Sequence, residues 1–72
     1  MYNLINKSYQ DIDNDFDKFL VTGIMKGSWK RFKNYHAKAF YAMNINLWRG
    51  SVWGIKKVGD KEKRTLIKRV YN

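Results

Sequence analysis

The segment from Ser28 to Trp48 decides the fold, and it reads SWKRFKNYHAKAFYAMNINLW. A helix is predicted over 28–42, because at about 100° per residue its apolar and basic side chains fall on opposite sides. The next residues, Met43 to Leu47, alternate apolar and polar side chains, which is typical of a strand. A continuous strand over the whole segment also fits, since alternate residues from Ala37 onward are apolar.

The two faces of this predicted helix suggest different roles. Its apolar face is expected to lie in the core: Trp29, Phe32, Tyr35, His36, Ala39, Phe40 and Met43. Its opposite face carries candidates for nucleic-acid binding: Lys30, Arg31, Lys33, Asn34 and Lys38. Tyr41 lies on the same side and is a candidate aromatic anchor. The cations can neutralise phosphates, and the Asn34 amide can reach the edge of a base if the helix enters a groove.

The N-terminal segment predicts another helix, at roughly 9–22. Apolar residues from Tyr9 to Leu20 recur with helical spacing. Ser8, followed three positions later by Asp11, is typical of a capped helix start, and Gly23 can end the helix.

The C-terminal third predicts a three-stranded antiparallel meander. Its strands are Met43–Leu47, Val52–Val58 and Thr65–Tyr71, separated by a turn at Arg49–Ser51 and a polar loop at Gly59–Lys63. We therefore expect one small basic α+β domain over 1–72, with two N-terminal helices before the meander. This order resembles that of the winged helix-turn-helix fold, and the alternative is an all-β small barrel after one helix.

The strands supply a second candidate binding surface, in which aromatic residues are interleaved with cations. Such a surface can stack unpaired bases while its charges contact the phosphates. Its cations are Arg49, Lys56, Lys57, Arg64, Lys68 and Arg69, and its aromatic anchors are Trp48 and Trp53.

The charge of the chain points to a polyanionic partner. Fifteen Lys and Arg against six Asp and Glu give a formal net charge of +9. Residues 1–25 contain four aspartates and two lysines, whereas residues 26–72 contain thirteen Lys and Arg and two acids. A field of this size on a small domain accelerates association with nucleic acid.

Catalysis, metals and cofactors are not expected. The chain has no cysteine, which excludes a thiol nucleophile and the usual structural zinc sites. The alternating aspartates from Asp11 to Asp17 resemble the start of a calcium loop, but Phe16 and Thr22 stand where the loop needs glycine and glutamate. His36 has no predicted nucleophile or paired acid beside it.

The sequence therefore predicts a non-catalytic, cytoplasmic nucleic-acid-binding protein, with DNA favoured over RNA and no membrane span. Its longest mainly apolar stretch, Phe19 to Met25, is too short to cross a bilayer. The alternative is an inhibitor or adaptor that binds an acidic patch on a host protein or nucleoprotein complex. In composition and size the chain resembles phage and mobile-element products, of which inhibitors of the anti-CRISPR type are one case. A homodimer through an exposed edge strand is compatible with both predictions.

Overall fold

The computed structural model describes residues 2–71, in which two short helices cover one face of a four-stranded antiparallel sheet. The strand order is β2-β1-β3-β4. Ile12, Ala39 and Ala42 of the helices pack with buried residues of the sheet in one core cluster. The elements in chain order are α1 (Tyr9–Asp15), β1 (Lys18–Met25), β2 (Arg31–His36), α2 (Ala39–Met43), β3 (Leu47–Val58) and β4 (Lys61–Val70).

The N-terminal helix begins where predicted and ends early. The Ser8 hydroxyl accepts a hydrogen bond from the Asp11 amide at 3.1 Å, and the Asp11 carboxylate accepts one from the Ser8 amide at 3.1 Å, so the predicted cap is confirmed. The backbone becomes extended at Phe16, and the residues predicted to continue the helix form β1 instead. Phe19, Leu20 and Val21 are all fully buried. Phe19 and Val21 belong to the core cluster beneath the helices, whereas Leu20 lies on the opposite face and is shielded by neighbouring side chains of the sheet.

The predicted helix over 28–42 is wrong. The segment contains β2, which pairs with β1, and then the five-residue α2. The alternative of a continuous strand over 28–48 is also wrong, since α2 interrupts it. Pairing with β1 satisfies the backbone groups on one side of β2, so the period-two alternation of its side chains prevails over the helical one.

The predicted meander and the small barrel are wrong as well. Residues 43–46 end α2 and lead into β3, and the predicted turn at Arg49–Ser51 lies inside that strand. The two C-terminal β-rich segments are paired strands, joined at Gly59 and Asp60. Gly59 has φ 62°, the positive value that a type II′ turn requires at its first central position. The sheet stays open, with β2 and β4 at its two edges.

A β-bulge in β4 determines which of its apolar side chains reaches the core. Val52 pairs with Lys68 and Trp53 pairs with Leu66, which leaves Ile67 as an extra residue. Ile67 is 2% exposed and belongs to the core cluster, whereas Leu66 lies on the sheet face that points away from the helices.

Several residues predicted for the core are exposed. Trp29 is 93% exposed, and the side chains of Tyr35 and Phe40 are each about half exposed. These positions belong to the predicted apolar face of a helix that does not form, so their exposure has the same cause. Ala39 is fully buried, as predicted.

Candidate nucleic-acid interface

The sheet face opposite the helices, here called the open face, carries a row of apolar side chains across all four strands. Strand pairing aligns Tyr35 of β2 with Leu20 of β1, Leu20 with Trp53 of β3, and Trp53 with Leu66 of β4. Residues aligned in this way point to the same side of a sheet. Leu20 is completely buried although none of the helices in residues 2–71 covers it, so its neighbours on the open face shield it from water.

Cationic side chains flank this row on both sides. Those that strand pairing places on the open face are Lys18, Arg31, Lys33, Arg49, Lys57, Arg64 and Arg69. Glu62 is the acid that shares the face, and its carboxylate lies 2.9 Å from the Lys18 ammonium. The hydrogen bond from Lys18 to Glu62 raises the pKa of the Lys18 ammonium, so this group remains protonated at neutral pH.

The rings of the row each lie close to cations. The Lys18 and Lys33 ammonium groups lie 5.0 Å and 5.9 Å from the centroid of the Tyr35 ring. The Arg64 guanidinium lies 5.7 Å from the centroid of the Trp53 ring. A base stacked on either ring would therefore place its phosphate near a positive charge.

A depression of about 470 Å³ lies at one end of the open face, where β2, β1 and β3 run side by side. Arg31, Lys33 and Arg49 contribute cations to its wall. Arg31 and Arg49 both pair with Ile24, so they stand on either side of β1, about 10 Å apart across two strand spacings. This arrangement can hold a phosphate between two guanidinium groups.

The floor of the depression depends on two glycines that face each other across β1 and β3. Gly23 pairs with Gly50 and has φ 143°. A Cβ on Gly23 would lie 2.6 Å from the Cα of Gly50 and closer still to the Arg49 carbonyl oxygen. Only glycine allows the two backbones to approach so closely.

A second, smaller cleft of about 210 Å³ lies beside the depression. It is lined by Gly27, Ser28, Trp29 and Trp48. The Arg49 guanidinium, which belongs to the depression, lies 5.5 Å from the centroid of the Trp48 ring. The two hollows therefore adjoin at Trp48 and Arg49.

The structure brings together about half of the residues singled out from the sequence. Arg31, Lys33, Arg49, Lys57, Arg64, Arg69 and Trp53 share the open face, and Trp48 lines the adjoining cleft.

The other candidates lie elsewhere. Those on strands, Asn34, Lys56 and Lys68, occupy register positions of the helical face, and the Lys68 ammonium donates to the Met43 carbonyl at 3.3 Å. The remaining three are Lys30 in the β1–β2 loop, Lys38 at the N-cap of α2, and Tyr41, whose ring packs on Phe40. The predicted basic helix face therefore does not exist, because its members are divided between a strand, a loop and α2.

Sequence reasoning missed Lys18 and Tyr35 as members of the surface. Lys18 lies within the first predicted helix, and Tyr35 is predicted on the core face of the second. A usable signal was present in β2, where Arg31, Lys33 and Tyr35 recur with the period of two that places side chains on one face of a strand.

The other cluster of titratable groups connects the N-terminal segment to α1, away from the open face. Asp15 accepts hydrogen bonds from the Tyr2 hydroxyl and from the Lys7 ammonium, which lies 3.0 Å away. These bonds lower the pKa of Asp15, and the pKa of Tyr2 is raised, first by burial and then by its bond to Asp15. The cluster stabilises the N-terminal segment against the sheet, where the Tyr2 ring packs on Phe16.

Residues 2–71 contain no group of three His, Asp or Glu side chains that could hold a metal ion, and no helix long and apolar enough to span a membrane. Compared with protein families, with curated proteins and with solved structures, the chain matches none.

Proposed function

We propose that this protein binds single-stranded nucleic acid across the open face of its sheet. The observation that carries the proposal is the row of Tyr35, Leu20, Trp53 and Leu66, in which the Tyr35 ring is half exposed, Trp53 is partly buried, and cations flank both sides. Aromatic rings stack unpaired bases, at about 1–3 kcal/mol per base, while cations follow the backbone.

A single strand fits this surface better than a duplex. Bases can stack on Tyr35 and Trp53 only when they are unpaired, since a duplex presents base edges in its grooves and not base faces. Insertion of a helix into a major groove is no longer supported. The five-residue α2 lies on the other face of the sheet, and the segment expected to enter the groove is mainly strand.

The cations explain how affinity would depend on salt. Each phosphate neutralised on a single strand contributes about −0.7 to the slope of log K against log salt concentration. Four or five contacts among the cations of the open face would give a slope near −3, about a hundredfold loss of affinity between 50 and 200 mM salt. Phosphate contacts do not depend on the base sequence of the nucleic acid, so they give the protein little preference among bases.

The test is a fluorescence anisotropy titration of labelled single-stranded DNA, single-stranded RNA and duplex DNA at about 50 and about 200 mM salt. We expect both single strands to bind more tightly than the duplex, and the comparison of DNA with RNA shows which is preferred. Equal or tighter binding of the duplex would refute the proposal.

Matched variants identify the surface. Tyr35→Ala removes a ring from the open face, and Tyr41→Ala removes an exposed ring from α2 on the other side. We expect Tyr35→Ala to weaken single-strand binding by about 5-fold or more, and Tyr41→Ala to leave it unchanged. Circular dichroism verifies that both variants are folded. If wild-type protein binds no nucleic acid even at low salt, the proposal fails, and a protein with an acidic surface becomes the partner to test.

A further inference from the structure

We infer that the cleft between Trp29 and Trp48 binds one unpaired nucleobase, whose neighbouring phosphate lies in the adjoining cationic depression. The inference rests on the proposed function and adds a specific base subsite to it. Trp29 is the most exposed large hydrophobic side chain in residues 2–71, at 93%, and it lines the cleft together with Trp48. Two indole rings around one hollow can contact both faces of a planar ligand.

The loop that carries Trp29 has a defined shape. The Ser28 amide donates to the Met25 carbonyl at 3.0 Å, and the Lys30 amide donates to the Ser28 hydroxyl at 3.2 Å. The Lys26 amide donates to the Asn46 carbonyl at 2.9 Å, which joins the loop to the residues that precede β3. These bonds hold the backbone on both sides of Trp29, so the loop that presents its ring is an ordered part of the fold and not a frayed chain end.

The volume of the cleft suits a nucleobase. At about 210 Å³ it is larger than the roughly 150 Å³ cavity that holds a benzene molecule in a protein core. The cleft is open to solvent, so the sugar of a bound nucleotide can project out of it.

Charge decides which planar ligand the cleft would take. Lys26, Lys30 and Arg31 belong to the same loop and the start of β2, and Arg49 follows Trp48 in the chain. None of the six acids lines the cleft or the depression, since they lie in α1, at Asp17 and near the β3–β4 turn. A base carrying its phosphate matches these surroundings.

The cleft also continues the proposed path of the strand. Thr22 and Ser51 of the depression are two residues along their strands from Leu20 and Trp53 of the apolar row. A strand stacked on the row can therefore place its phosphates between Arg31 and Arg49 and its next base between Trp29 and Trp48.

The inference is tested with an eight-nucleotide oligothymidylate and a set of the same oligonucleotides in which one abasic nucleotide is moved along the strand. Binding is measured for the wild type, Trp29→Ala and Trp29→Phe by anisotropy at one salt concentration. Because the side chain of Trp29 is exposed, neither substitution disturbs the core. We expect Trp29→Ala to weaken binding of the intact oligonucleotide by between about 5-fold and about 100-fold, and Trp29→Phe to retain most of the affinity.

The abasic series separates a base subsite from a general effect on binding. We expect the penalty of Trp29→Ala to vanish at one abasic position, because the base that Trp29 contacts is then missing. If Trp29→Ala binds every oligonucleotide as the wild type does, or carries the same penalty at every position, the base subsite is wrong while the proposed function stands. If the wild type binds none of the oligonucleotides, the proposed function itself fails.

Discussion

Substitution of Gly23 by alanine tests the close approach of β1 and β3 that forms the floor of the depression. The added Cβ would lie 2.6 Å from the Cα of Gly50, whereas an ordinary carbon–carbon contact is about 3.5–4.0 Å. The two strands would therefore have to separate by about 1 Å at this point. The atoms in the way belong to the backbone of β3, so no side-chain rotation can relieve the contact.

The cost can be built from two contributions. An alanine at φ 143° adopts a conformation that costs about 1–3 kcal/mol. A separation of 1 Å lengthens the neighbouring interstrand hydrogen bonds beyond their useful range, and losing two of them costs about 2 kcal/mol. The expected loss is therefore about 3–5 kcal/mol, against a total stability of about 4–11 kcal/mol for a chain of this length.

Thermal denaturation followed by circular dichroism measures the effect, with Gly27→Ala as the matched control. Gly27 also has a positive φ, 86°, but a Cβ there meets no atom within 4 Å. We expect Gly27→Ala to cost about 1 kcal/mol and to lower Tm by about 4–8 °C, and Gly23→Ala to lower it by more than about 12 °C. Equal shifts for the two variants would refute the argument from strand contact, because conformational strain alone would then account for both.

Four further outcomes are expected. Ile67→Ala should cost about 2–5 kcal/mol in a urea titration, because the bulge places this side chain in the core; a loss below 1 kcal/mol would show that the bulge does not form. Ser8→Ala should cost about 1 kcal/mol in the same titration through loss of the helix cap, and no change would place the start of α1 elsewhere. Hydrogen bonds lower the pKa of Asp15 in the folded protein. Its ionised carboxylate therefore stabilises the fold fully above the pKa that Asp15 has in the unfolded chain, and this stabilisation is lost as pH falls through the folded-state pKa. Asp15→Asn should lower Tm at neutral pH, and the difference from wild type should disappear in acid. Replacing Arg31 and Lys33 together by alanine should reduce the magnitude of the salt slope for single-strand binding by about 1.4, and an unchanged slope would exclude them as phosphate contacts.

Much of the candidate surface could be named from the sequence, but its geometry could not. Arg49, Arg64, Arg69 and Trp53 are all predicted members of the hairpin surface, although Arg49 is predicted in a turn, and the structure places all four on one face. Lys18 and Tyr35 were missed, because each had been assigned to a helix. A face of a sheet is assembled from strands far apart in the chain, so no local pattern shows which residues will share it.

The sequence by itself determined those properties that depend on composition or on a few adjacent residues. These include the excess of positive charge, the absence of thiol chemistry, and the start of α1 at Ser8, where a hydroxyl and a carboxylate three residues apart satisfy each other's backbone amides. Local hydrogen bonding of this kind needs no distant partner.

Tertiary structure alone decided the conformation of β1 and β2. Phe19 to Val21 and Arg31 to His36 fit a helical period as well as a strand, and their own side chains do not discriminate between the two. Pairing of β1 with both β2 and β3 favours the strand over the helix, because it satisfies the backbone groups on both sides of β1 and buries Phe19, Leu20 and Val21 together. That free energy exists only when segments distant in sequence meet, and it leaves Lys18, Arg31, Lys33 and Tyr35 on the open face.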